Sequence, residues 1–115
     1  MKVVHMKKIL HISKYYYPFS GGTEQIARDC VCTLRNDYIQ KVIAFNDESG
    51  KDECITVDGI DVVKCGCITK ISSQSISLSY RGVLNKVLNE FEPDIIVFHY
   101  PNPFVAAILL KELRN

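Results

Sequence analysis

The sequence predicts an α/β fold: an open, mostly parallel sheet with flanking helices and one β-hairpin. Three observations carry that prediction. Short apolar runs, KILHIS (Lys8–Ser13), KVIAF (Lys41–Phe45) and DIIVFH (Asp94–His99), read as strands, the first and last covered on both faces. Between them lie stretches whose apolar residues recur at helical spacing. Strand and helix alternate along the chain, which is the rhythm of crossover connections in such a sheet.

Taken in order, KILHIS opens the sheet. From Thr23 the residues Ile26, Ala27, Cys30, Val31 and Leu34 form one helical face, ending near Asn36-Asp37. KVIAF is the second strand, and the charged run Asn46–Glu53 is read as a solvated loop. CITVDGIDVVKC alternates around Asp58-Gly59, a strong two-residue hairpin signal. Thr69–Ser79, rich in serine, is read as a flexible connection. Tyr80, Val83, Leu84, Val87, Leu88 and Phe91 make a second helical stripe, which Pro93 stops. After DIIVFH, Asn102 and Pro103 suit an N-cap and first turn, and Phe104–Leu113 continues as a mainly apolar helix.

Composition narrows the function classes. The 115 residues allow at most one domain, and the net charge of +1 lacks the basic excess of a nucleic-acid binder. The longest apolar run, Phe104–Leu110, is too short to span a bilayer, and MKVVHMKK is too interrupted for a signal-peptide core. The expected location is therefore cytoplasmic. Five cysteines suit reduced thiols. Cys30 and Cys32 point apart on a helix, and Cys65-Gly66-Cys67 has no accompanying pair at zinc spacing, so no metal is expected.

In open sheets of this kind, called Rossmann-like, ligands bind beyond the carboxyl ends of the strands, where the winding direction reverses. With KILHIS central and DIIVFH beside it, the loops YYYPFSGGTE and HYPNP converge on one crevice. Gly21 and Gly22 then lie where a helix begins with unpaired N–H groups, a setting that favours phosphate. A plain tight turn is the competing reading of the two glycines. The dinucleotide fingerprint G-x-G-x-x-G is missing, although Asp47 after the second strand could act as a ribose-binding acid.

A strand followed by P-x-x-G-G-x-E at the head of a helix (Pro18, Gly21, Gly22, Glu24) resembles the N-terminal domain of glycosyltransferase family 4, of GT-B fold. The hairpin DGIDVVKC and FEPDIIVFHYPNP add to the likeness, which covers Lys8 to Asn115. The ending HYPNP looks most like transferases of bacterial surface polysaccharide biosynthesis, often mannosyltransferases.

The resemblance implies retaining transfer of a sugar from a nucleotide-sugar donor to a glycan or lipid-linked acceptor. It implies that residues 1–115 are a single partial domain, the acceptor-side half, with the C-terminal nucleotide-sugar domain absent. A chain so shortened is expected to be inactive alone and to self-associate. It further implies that Gly21 and Gly22 lie against the donor's diphosphate and that His99 helps hold the donor sugar. The candidate catalytic residue is thus His99. The candidate substrate-binding residues are Tyr17, Gly21, Gly22, Thr23, Glu24 and Asn102. No cofactor and no metal are implied.

Each assignment has a plainer counterpart. Glu24 also suits the first turn of a helix through the dipole, and His99 also suits a structural histidine at a strand end. His11 reads as core, and His5 as part of an extension. Tyr15, Tyr16 and Tyr17 cannot all face one way: one or two pack, and another stacks on a sugar or rests at a membrane surface. Lys14 and Arg81 could meet a lipid-linked phosphate in a peripheral contact with the inner face of the membrane. A nicotinamide-type module and a non-catalytic interaction domain are the competing function classes, and no nucleic-acid partner is expected.

Overall fold

A computed structural model of the chain describes residues 6–16, 22–46, 50–66, 69–71, 74–76, 79–99 and 109–111. The elements are β1 (Lys8–Ile12), α1 (Gly22–Leu34), β2 (Ile39–Phe45), β3 (Glu53–Val57), β4 (Ile60–Cys65), β5 (Thr69–Ile71), β6 (Gln74–Ile76), α2 (Tyr80–Phe91) and β7 (Ile95–Phe98). Five strands form one sheet in the order β3-β4-β2-β1-β7, and β5 pairs with β6 separately. All neighbours in the large sheet are parallel except β3 with β4. The fold is α/β and Rossmann-like, with β1 central and β7 beside it.

The alternation of side chains sorts the core into two layers. Leu10, Ile12, Ile43 and Phe45 pack on one face with Tyr80, Leu84 and Val87 of α2. Val42, Ala44 and Val62 pack on the other with Ala27 and Val31 of α1. Tyr15 and Tyr16 follow β1 and go to opposite layers, each buried. This matches the sequence argument that adjacent tyrosines cannot share a face. Cys65 is a buried member of the α2 layer.

Backbone chemistry fixes the ends of several elements. Asp58 and Gly59 both have positive φ, 53° and 79°, as the two-residue turn between β3 and β4 requires. Helix α2 ends with Glu92 in the left-handed region, its N–H donating to the Leu88 carbonyl. Pro93 disfavours the right-handed helical conformation at Glu92, so the helix ends one residue before it. Asp94 then sets the register of β7. Its carboxylate accepts the Lys8 N–H at 2.9 Å, and its own N–H donates to the Lys8 carbonyl at 2.8 Å.

Three expectations need correction. The Thr69–Ser79 stretch contains β5 and β6, because β-branched Thr69, Ile71 and Ile76 give its serine-rich sequence enough strand preference to pair. Strand β7 is not covered on both faces: its residues run from exposed to half-buried, because among the described residues it borders only β1. Asn46 does not belong to a solvated loop. It is buried, its N–H donates to the Cys65 carbonyl, and its side-chain amide donates to the Lys51 carbonyl at 2.9 Å. Asn102, Pro103 and most of the expected last helix lie outside the described residues, of which 109–111 are helical.

Candidate functional site

Winding away from β1 runs first to β2 and β4, then returns to β7 on the other side of β1. The reversal therefore falls between β1 and β7. Past their carboxyl ends the backbone stays paired: the His99 N–H donates to the Ile12 carbonyl at 2.8 Å. His99 thus stands at the position where an open α/β sheet binds its ligand. Register puts His11 and His99 on the α1 face of adjacent strands, since their neighbours Ile12 and Phe98 pack on the α2 side.

The two histidines touch. Nδ1 of His11 and Nε2 of His99 are 2.8 Å apart, with ring planes 14° from parallel. On its other side, Nε2 of His11 is 2.6 Å from Oε1 of Gln40. The Gln40 amide nitrogen donates to the Val31 carbonyl at 2.9 Å.

These contacts determine which atoms carry protons. A carbonyl only accepts, so Val31 fixes the amide nitrogen of Gln40 toward itself and the amide oxygen toward His11. His11 must then hold its proton on Nε2 and accept on Nδ1, and His99 donates from Nε2. In the neutral pair, Nδ1 of His99 is left as an acceptor. Val31 is one of the last four residues of α1, whose carbonyls have no partner within the helix. Gln40 therefore caps α1 while it orients His11.

Both imidazoles are held below their ordinary range. Burial lowers His11, opposed by the bond to Gln40. Burial, then the neighbouring His11, lowers His99 to about 4. Near pH 7 the pair is neutral. It offers hydrogen bonds and lone pairs, not positive charge.

Cys30 of α1 completes a cluster. One ligand atom from each of His11, Cys30 and His99 lies within 4.8 Å of the other two. Cys32 faces elsewhere, its thiol donating to Asp58 at 3.4 Å beside the Arg28–Asp58 ion pair at 3.0 Å. Burial and that bond push the Cys32 thiol up, while the bond from Arg28 holds the Asp58 carboxyl down.

Of the residues singled out from sequence, the structure places His99 at the reversal point and Gly22 at the first position of α1. Thr23 and Glu24 belong to the first turn of that helix. Tyr17, Gly21, Asn102, Asp47 and His5 lie outside the described residues. Lys14 lies over the Tyr15 ring at 5.4 Å. Reading His11 as core is correct for its burial but misses its partnership with His99 and Gln40. The available signal was a polar residue in each of two buried parallel strands, His11 and Gln40.

No protein-family model matches the chain, and no curated protein or solved structure matches it significantly. Among the described residues, no helix is long and apolar enough to cross a membrane.

Proposed function

We propose that the chain is the acceptor-side part of a retaining GT-B glycosyltransferase, moving a sugar from a nucleotide-sugar donor to a glycan or lipid-linked acceptor. The observation that supports this reading is His99, kept neutral by burial and oriented at the reversal point between β1 and β7 by a fixed chain of hydrogen bonds. A neutral imidazole with a free acceptor nitrogen suits a sugar hydroxyl better than a phosphate. In this reading Gly22 lets the diphosphate approach the start of α1, whose N–H groups favour anions. A second domain holds the nucleotide, and backbone amides with basic side chains neutralise the leaving diphosphate. The proposal extends to contact with a membrane surface and to mannosyl transfer in bacterial polysaccharide assembly.

The test uses a complete enzyme carrying this domain, with release of nucleoside diphosphate as the readout. Gly22 begins α1, and a helical backbone is one that alanine adopts readily. Gly22→Ala is expected to lower turnover by ~100-fold, the scale of a lost contact to developing charge, with an unchanged melting temperature. His99→Ala is expected to lower turnover while the protein stays folded. Full activity in both folded variants, or binding of NADH in preference to nucleotide-sugars, would overturn the proposal.

A further inference from the structure

We propose that His11, Cys30 and His99 bind a divalent cation of the zinc class. The donors come from three elements: the middle of β1, the body of α1 and the end of β7. Two imidazoles and a thiol are the ligand set that a borderline-soft ion selects over magnesium or calcium. The proposal stands apart from the transferase reading, because it rests only on these side chains and their supports.

The geometry is close to what such an ion requires. Zinc–nitrogen bonds of 2.0–2.1 Å in a tetrahedron set the two nitrogens roughly 3.3 Å apart. The pair now stands at 2.8 Å, so the rings need only part slightly. The donor atoms, all within 4.8 Å of one another, close in by about 1 Å on the thiolate side. Gln40 already supplies the outer support of a metal-bound histidine, because its oxygen accepts from Nε2 of His11 and turns the Nδ1 lone pair toward His99. Burial keeps both rings unprotonated, as ligation demands. Three protein ligands leave a fourth position for water.

Proton accounting follows. His11 binds through Nδ1 without losing a proton. His99 moves its proton from Nε2 to Nδ1 and remains neutral. Cys30 binds as thiolate and releases its proton to solvent, so each cation displaces one proton.

The experiment titrates the reduced, tag-free chain with Zn²⁺ against a chromophoric chelator, and with Co²⁺ for its spectrum. Binding of one cation per chain is expected, with a thiolate-to-cobalt charge-transfer band and release of one proton in calorimetry across buffers of differing ionisation enthalpy. Cys30→Ser should abolish the band and weaken Zn²⁺ binding by more than ~100-fold, beyond the cost of losing an outer support. Cys32→Ser and Cys54→Ser should leave both unchanged. Nitrogen-detected NMR should show His99 changing tautomer when zinc is added. Absence of stoichiometric binding, a cobalt complex without the thiolate band, or Cys30→Ser binding as tightly as the parent would overturn the proposal.

Discussion

Replacing Gln40 by leucine tests the hydrogen-bond chain that sets the candidate site. The substitution removes two buried contacts at once, the 2.6 Å bond from His11 and the 2.9 Å bond to the Val31 carbonyl. Leucine fills a similar volume, so cavity formation adds little. What remains is one imidazole nitrogen and one helix-end carbonyl without partners. His11 cannot escape by changing tautomer: moving its proton to Nδ1 keeps the bond to His99 but leaves Nε2 unsatisfied. At about 1–3 kcal/mol for each buried unsatisfied group, less a little for added apolar burial, the expected loss is about 2–4 kcal/mol. For a chain of this size that is a fall in melting temperature of roughly 10–15 °C. Urea denaturation followed by circular dichroism gives the free energy directly. In folded Gln40→Leu, NMR should find His11 no longer held with its proton on Nε2. A loss below about 0.5 kcal/mol, with the His11 tautomer unchanged, would refute the reasoning.

Acidification should destabilise the protein before its carboxylates titrate. His99 is lowered from 6.5 to about 4 and His11 is lowered too, so their contribution is complete above pH 6.5 and is lost as pH falls toward 4. For His99 it is at most ~3 kcal/mol, reduced to about 1–2 kcal/mol by solvent at the half-buried ring; denaturation at pH 7 and pH 5 measures it, and equal stabilities would contradict it. Gly66→Ala should cost about 1–3 kcal/mol, because the new methyl collides with the Gly50 carbonyl and stands 2.7 Å from the Lys51 nitrogen; thermal melts check this, and an unchanged melting temperature counts against it. Self-association is expected through β7, where Ile95 is 39% exposed and only β1 is paired among the described residues. Sedimentation should show dimers that Ile95→Lys disperses, whereas a strict monomer at high concentration would exclude this edge.

Features that depend on local pattern were legible in the sequence. Apolar periodicity located α1 and α2, and the Asp58-Gly59 pair located the hairpin. Strand–helix alternation placed β1 at the centre with β7 beside it. Features that depend on neighbours were not. The exposure of β7 follows from its place at the end of the strand order, which its own apolar letters do not encode. The strands β5 and β6 were hidden by serine content, although their β-branched residues were visible. At the site, His99 stands out in the sequence through the family resemblance and its place at the end of DIIVFH. Its contact with His11 joins residues 88 apart and depends on register. Gln40 was missed because a glutamine at the start of a strand resembles any surface residue until α1 ends above it.

The tyrosines after β1 make this part of the chain sensitive to frame. Tyr15 enters the α2 layer and Tyr16 the α1 layer, and two bonds secure their approach: Ser13 Oγ donates to the Tyr15 carbonyl at 2.6 Å, and Phe45 N–H donates to the Lys14 carbonyl at 2.8 Å. Trading Tyr16 for phenylalanine keeps the shape, because among the described residues its hydroxyl has no hydrogen-bond partner to lose. Deleting a single residue between Ile12 and Tyr15 is a different event. It sends each ring toward the opposite layer. At Tyr16 the ring matters and the hydroxyl does not, while the number of residues before it decides which layer that ring fills.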